Sequence, residues 1–463
     1  MKTIDVTEEK GALFTRSDLN KLIRPLIIEQ LLAISVGMFD TMMISSLGDN
    51  AVSGVSLVDM LNVVMINFFA ALGTGGAVLC SHAVGLARVS EGKQDYSAAR
   101  HIAKQIMVVL LAVSCIFAVL CYVFRAQLLS LIFGNEQQAV IEHALVYFAI
   151  SAVSYPFIAI YNGCAALFRT MGNSRVTMIT SAIVNVVNVC GNALLIFGFD
   201  MGVAGAAWST TFSRFLGMVI LLVLIMNKER TIYIDFREKF TLELGTIKRI
   251  LRIGVPSGLE NSVFNLGRIL TISMMTTFGA EQLAANAIAN NIDALSVVPG
   301  SAVGLAMVTV VGQCIGAGDF EAAHRYEKKL LKTSYIYMDA LSIALLAALP
   351  LILQLYSASD EAIRIAAILI CIHLGVGLFL WPLSFVTPNA LRAAKDVKFT
   401  MVVSLFSMVT FRIVLSYIIG VYFGMGIIGV WIAMLVDWVF RSIMFNTRIH
   451  TGKWLKHVKR SED

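Results

Sequence analysis

Along this chain, runs of apolar residues about 20 long alternate with short polar stretches. Residues 105–124, 202–227 and 334–356 each carry at most one charged side chain. As a helix, a run of that length matches the hydrocarbon thickness of a bilayer. The pattern predicts twelve spans, at 22–47, 54–80, 103–124, 141–164, 176–198, 202–226, 250–277, 284–311, 333–355, 364–391, 400–423 and 426–447. Alternating strands of about ten residues, the mark of a membrane barrel, are absent. The spans are therefore expected to be helices, which satisfy their own backbone in lipid.

Composition supports this reading and excludes a soluble one. Of the 463 residues, 58% are hydrophobic and only 14% charged, with a mean hydropathy of +0.79. A soluble chain of this length would divide into several domains with far more charge on their surfaces. In a soluble protein the net charge of +6 would point to nucleic acid. Here the charge tracks the spans. Of 36 Lys and Arg, 30 fall in or at the edges of the terminal segments and the even-numbered connections. Only Arg125 and Arg364 fall in the odd-numbered ones, and Arg214, Arg268, Arg412 and Arg441 lie within spans. Positive charge accumulates on the cytoplasmic side, so both termini are expected in the cytoplasm and the chain in the plasma (inner) membrane. The first 20 residues contain no apolar core of a signal peptide. The seven cysteines lie in or beside spans without metal-ligand spacing and read as small packing residues.

The spans repeat. Residues 25–48, PLIIEQLLAISVGMFDTMMISSLG, align with 256–279, PSGLENSVFNLGRILTISMMTTFG. This register puts Pro25 on Pro256, Glu29 on Glu260, Gly48 on Gly279, Gly73 on Gly304 and Gly85 on Gly316. Further on, Tyr155-Pro156 meets Trp381-Pro382, RTMGNSRVTM (169–178) meets RAAKDVKFTM (392–401), and GVAGAAW (202–208) meets GIIGVWI (426–432). Each half holds six spans, an even number, so both copies keep the same orientation. The predicted fold is an all-α polytopic membrane protein of twelve transmembrane helices in two pseudo-symmetric six-helix bundles. These are residues 1–226 and 250–463, joined by the charged linker 227–249, with a substrate cavity between them.

Ionisable side chains inside spans are functional candidates by default. Asp437 and Arg441, four apart on one helix, are expected to pair with each other. Asp339 is a lone acid suited to a packing hydrogen bond or to function. Asp59 and Asp293, near the outer ends of spans 2 and 8, read as solvated. Asp40 has no such explanation, because no Lys or Arg lies near it in the sequence. It shares a face of span 1 with Glu29, about 16 Å away along the axis. Span 5 adds Asn185, Asn188 and Asn192 on one helical stripe. Such amides either glue helices together or coordinate an ion. Beside Asp40, a carboxylate with carbonyl-type oxygens suits Na⁺ or a transferable proton. The second half does not reproduce this pocket. Thr271 stands opposite Asp40, and Met408, Phe411 and about Leu415 stand opposite the three amides; Glu260 remains, with Asn261 and Asn265 near it.

With FDTMMISSLG in span 1, GQCIGAGDFEAA (312–323), LFRTMGNSR (167–175), NVVNVCGNALLIFG (185–198) and GVWIAMLVDWVFRSIMF followed by GKW, the chain resembles the multidrug and toxic compound extrusion (MATE) transporters over essentially its whole length. The resemblance implies a non-enzymatic secondary antiporter. It would work by alternating access and export drugs or metabolites against Na⁺ or H⁺, with no other cofactor or resident metal. It implies cation-coupling roles for Asp40, Asn188, Asn192, Thr210 and Glu260. Glu29, Asn162, Asn185, Asn261 and Asn265 are expected to line the substrate cavity. Some relatives carry an aspartate where Asn192 stands, and no acid occurs in FLWPLSFVTPNALR of span 10. Expected partners are small cationic or neutral amphipathic molecules and the bilayer, with no nucleic acid, and the protein is expected to be a monomer.

The alternative is a lipid-intermediate or polysaccharide-precursor flippase of a related branch. That would call for a strongly cationic cavity, whereas only Arg268 and Arg412 lie mid-span. A major-facilitator transporter would carry a Gly/Asp/Arg signature that SHAVGLARVSEGK lacks. No HExxH, Ser/Lys dyad or Cys/His cluster suggests an enzyme, and His373 stands alone in span 10.

Overall fold

A computed structural model describes residues 13–90, 94–134, 138–235, 237 and 241–456. The expectations for the first 12 residues, for residues 236 and 238–240 of the linker and for the tail beyond 456 lie outside them. The described residues are almost wholly helical, without a strand. Among the described residues, ten helices are long and apolar enough to cross a membrane. These are Arg16–Ser45 (span 1), Asp49–Val89 (span 2), Ser97–Val123 (span 3), Ser174–Gly198 (span 5), Gly202–Ile225 (span 6), Val298–Gly316 (the second part of span 8), Phe320–Leu353 (span 9), Asp360–Ala393 (span 10), Val397–Tyr422 (span 11) and Gly426–His450 (span 12).

Span 4 is an eleventh, made of Gln138–Val153 and Tyr155–Thr170 with a bend of 47° between them. Pro156 follows the break at once, where its missing N–H is harmless. Leu244–Met275 (span 7) completes the set of twelve. Glu260, Asn261, Asn265 and Arg268 in its middle make it the most polar of them. Span 8 begins with Ala280–Ser296 and breaks before Pro299. Its repeat mate, Phe68, leaves span 2 one unbroken helix of 41 residues.

Local signals set several ends. Thr15 caps span 1 reciprocally with Asp18, and Ser359 and Asp319 cap spans 10 and 9. The repeat-matched glycines Gly48 and Gly279 both sit at φ 97°, turning the chain between spans 1 and 2 and between spans 7 and 8.

Packing follows the repeat. Span 1 lies against span 5 and span 7 against span 11; span 2 lies against span 4 and span 8 against span 10. Two buried apolar clusters result. One gathers buried apolar residues between Met275 and Trp454 with the start of span 1 at Leu19, Leu22, Ile23 and Leu26. The other gathers buried apolar residues between Ile44 and Ile234 with the start of span 7 at Ile250 and Ile253. Each half thus lends the first turns of its leading helix to the other.

The lobes meet along the ends of spans 1, 2, 7 and 8 that lie nearest the two termini. There a Cβ on Gly75 would stand 2.6 Å from the Gly254 nitrogen, so spans 2 and 7 touch backbone to backbone. The linker closes over the same end. Arg100 donates to the Thr231 carbonyl, Gln105 Nε2 donates to the Thr241 carbonyl at 2.7 Å, and His101 lies 2.8 Å from Glu243. Hydrogen bonding from Thr246, and then from His101, holds the Glu243 carboxyl below its usual range. Leucine at position 75 is expected to force spans 2 and 7 apart and to destabilise the protein by on the order of 1–3 kcal/mol. Thermal unfolding of Gly75→Leu in detergent would read this as a lowered Tm; an unchanged Tm would contradict the close crossing.

Candidate functional site

The hydrogen bonds around Asp40 assemble a site from spans 1, 5 and 6. Asn192 Nδ2 donates to Asp40 Oδ1 at 2.5 Å. One turn earlier on span 5, Asn188 Nδ2 donates to Thr210 Oγ1 at 3.2 Å, and Ser209 Oγ donates to the Asn188 carbonyl at 2.8 Å. Gly191 lets Ser209 approach this closely, since a Cβ there would stand 2.4 Å from its hydroxyl. Asp40, Asn188, Asn192 and Thr210 therefore converge on one pocket. Immediately after Asn192 the helix widens into a π-helical stretch, Ala193–Gly198.

The amide oxygens Asn188 Oδ1 and Asn192 Oδ1 are buried and accept no hydrogen bond. Buried polar atoms are normally satisfied, so two free acceptors near a half-buried carboxylate are unusual. Their amide nitrogens are used to hold Thr210 and Asp40, which leaves acceptors available to a cation. The donor set of one carboxylate, two amide oxygens and a hydroxyl fits a hard monovalent cation or a proton held on Asp40.

Around this pocket the structure gives partners to three residues already marked in the sequence. Asp59 is exposed but accepts from Asn62 Nδ2 at 3.2 Å and from the Tyr147 hydroxyl. Arg214 Nη1 donates to Ser154 Oγ at 2.7 Å. Asn185 turns away from the pocket and donates to the Leu32 carbonyl of span 1 at 2.9 Å, a tie between helices.

Glu29 and Glu260 sit elsewhere, each in its own lobe and each against an arginine. Glu29 Oε2 accepts from Thr177 Oγ1 at 2.6 Å, with Arg169 Nη1 at 3.7 Å from Oε1. Glu260 Oε1 accepts from Ser404 Oγ at 2.6 Å and lies 2.9 Å from Arg392 Nη2. Arg169 and Arg392 are themselves repeat mates, the one signal in the sequence from which these pairs were readable. Glu260 Oε2 is buried without a partner, as is Asn162 Nδ2. Asn265 Nδ2 donates to the Asn261 carbonyl of its own helix at 2.8 Å.

The expected pairing of Asp437 with Arg441 is not made; no such pair falls within 4.0 Å among the described residues. Asp437 Oδ1 accepts a short hydrogen bond from Ser407, and Arg412 Nη1 lies 3.8 Å from Oδ2. Arg441 instead donates to the Ser384 carbonyl and stacks over Phe385 at 4.5 Å. Neighbours from other helices outbid the same-helix partner. Asp293 is not simply solvated either: His373, solitary in the sequence, lies 2.6 Å from it and packs edge-on against Trp431 and Trp438.

A parallel pair of six-helix lobes with polar pockets inside them is the architecture of a membrane transporter. The profile of the MatE family matches residues 25–194 and 256–418, one match on each half and each beginning at a repeat proline. The chain belongs to this family of multidrug efflux transporters. It is 26% identical over 440 residues to the uncharacterized transporter YisQ of Bacillus subtilis, covering 93% of each chain. It is 26% identical over 457 residues to the probable multidrug resistance protein NorM of Thermotoga maritima, covering 96% of this chain and 94% of that one. Among solved structures, a MATE in the bent conformation superposes with a TM-score of 0.84 at 20% identity, covering 96% of this chain and 97% of the other. The outward-facing conformation of a multidrug resistance MATE family transporter gives 0.83 at 21% identity, covering 94% and 96%.

Removing Arg392 leaves a buried carboxylate without its counter-charge, which costs about 3–5 kcal/mol in comparable sites. Arg392→Gln is therefore expected to lower Tm more than Arg169→Gln, whose partner is farther away. Parallel melting curves check this; a larger loss for the Arg169 variant would contradict it.

Proposed function

We propose that this protein exports small amphipathic organic molecules in exchange for Na⁺ or H⁺, with Asp40 as the coupling carboxylate. The observation that carries this reading is the pair of unsatisfied amide oxygens, Asn188 Oδ1 and Asn192 Oδ1, in the pocket where Asn192 meets Asp40. A cation or proton bound there changes the charge of a pocket shared by spans 1, 5 and 6. A coupling ion moves a conformational equilibrium only through different affinities for the two states, so the pocket has to change shape or hydration between them. Asn188 and Thr210 fix the far wall. The acids of the first lobe favour cationic or neutral substrates there.

Orientation follows from the distribution of Lys and Arg: both termini in the cytoplasm, in the plasma membrane, the lobes closed on the cytoplasmic side and the cleft open outward. Glu260, bound to Arg392, is assigned a supporting role near the cytoplasmic closure. It would respond to the ion through the lobes' movement and not by direct contact with Asp40.

The test is transport in inverted vesicles under separately imposed Na⁺ and proton gradients. Asp40→Asn keeps the side-chain volume and loses the titratable charge. It is expected to reduce gradient-driven export to background with normal amounts of folded protein. Asn188→Ala is expected to weaken ion dependence more than Asn185→Ala, because Asn185 serves only the span 1 backbone. Full coupled export by a well-expressed Asp40→Asn protein would overturn the proposal.

A further inference from the structure

The second lobe contains a pocket in the position that mirrors the Asp40 pocket, and its charge is reversed. In the repeat register Thr271 replaces Asp40, Asn290 replaces Asp59, Arg268 replaces Gly37 and Arg412 replaces Val189. Both acids have become neutral, and two uncharged positions have become arginines. The structure brings these replacements together: Arg268, Thr271, Asn286, Asn290, Arg412 and Trp431 line one small cavity among spans 7, 8, 11 and 12. Its open volume is about 30 Å³, room for a water or a small ionic group. Thr271 also borders an apolar crevice of about 680 Å³ between spans 7 and 11, walled by Leu270, Met274, Val414 and Tyr417.

Asp293 and Asp437 lie near enough to attract the two arginines, but neither lines the cavity and each is engaged elsewhere. Asp293 is held by His373, and Glu260 by Arg392. Asp437 takes the Ser407 hydroxyl and is shared with Arg412 at 3.8 Å. Arg268 has no carboxylate within 4.0 Å among the described residues. The cavity lining itself carries two arginines and no carboxylate. Arg412 is steadied over the Phe264 ring at 5.1 Å, and Asn286 by Trp431 Nε1, which donates to its Oδ1 at 3.1 Å. Two guanidiniums facing one space that no carboxylate lines offer an oxyanion charge-assisted hydrogen bonds from both sides.

We propose that Arg268 and Arg412 bind the carboxylate of an amphipathic substrate whose apolar body lies in the crevice beside Thr271. This rests on the exporter reading and assigns the carboxylate of such a substrate to these two arginines of the second lobe. The same chemistry could be met by a lipid phosphate, so the test separates the two sources.

The full-length protein is reconstituted in phosphatidylcholine nanodiscs with and without phosphatidylglycerol. Equilibrium binding is measured for a dansyl-labelled aromatic amino acid and for its methyl ester. The acid is expected to bind more tightly than the ester. Arg268→Gln and Arg412→Gln are each expected to weaken the acid about tenfold, the scale of a charge-assisted contact, while leaving the ester unchanged. Arg268→Lys is expected to restore part of the affinity. Arg268 is exposed, so its variants test the pocket without threatening the fold. Equal binding of acid and ester, no binding of the acid, or arginine effects that appear only with phosphatidylglycerol would each overturn the proposal. Binding needs no ion gradient; failure here leaves Asp40-dependent export intact, and failure of Asp40-dependent export leaves this binding measurable.

Discussion

The crossing of spans 2 and 8 is the constraint on which the rest of the molecule depends. A Cβ on Gly85 would stand 2.0 Å from the Gln313 carbonyl oxygen, and one on Gly316 would stand 2.1 Å from that of His82. Gly85 and Gly316 are repeat mates, and so are His82 and Gln313, which makes the crossing its own mirror image. Two hydrogen bonds flank it: His82 Nε2 lies 2.7 Å from the Ala393 carbonyl, and Gln313 Nε2 donates to that of Thr170 at 2.7 Å. Thr170 and Ala393 are mates in their turn. In lipid no hydrophobic force drives helices together, so backbone contact through glycine and polar ties between helices must do so. Both are concentrated at the terminal end of the molecule. Among the described residues, no hydrogen bond or ion pair links the lobes across their outer halves, which leaves the cleft free to differ in width there.

Much of this was legible in the sequence, for a physical reason. A span is a property of a local run of residues, and the repeat is carried by Pro, Gly and Glu positions whose backbone or burial demands are the same in both halves. The number and order of the spans and the repeat register follow from such local rules, whereas span 2 runs well past both expected ends and span 8 is broken. What was not legible depends on contacts between helices distant in sequence. Asp293 and His373 are 80 residues apart, and nothing local marks them as a pair. Asp437 and Arg441 show the opposite error: the helical spacing was right, but Ser407, Arg412 and the Ser384 carbonyl offered better geometry from outside. The unbroken course of span 2 against the broken span 8 was readable only from Pro299 and its unmatched mate, Phe68.

The halves share a scaffold and divide the chemistry. Glycines at the crossing are repeated because the two lobes have to fit each other there in the same way, and the hairpin glycines and Glu–Arg pairs are repeated as parts of the same fold within each lobe. Positions inside each lobe are released from that requirement. Asp40 and Asp59 on one side, Thr271, Asn290, Arg268 and Arg412 on the other, show how far they have diverged.

Separation of the two charge signs between lobes bears on how a local ion could act globally. On the proposed reading, a cation at Asp40 would touch spans 1, 5 and 6, and an anion held by Arg268 and Arg412 would touch spans 7 and 11 in a cavity completed by spans 8 and 12. Neither bridges the cleft, so neither can pull the lobes together directly. Each can act on the other lobe only through the helices that leave its own bundle, and the first turns of spans 1 and 7 are those helices, packed in the opposite core. Pro25 and Pro256 lie in these turns, where a missing hydrogen-bond donor lowers the resistance of a helix to bending. Occupancy of either pocket would therefore be felt at the crossing as a change in the direction of span 1 or span 7, and the glycine contacts there leave little room for intermediate settings.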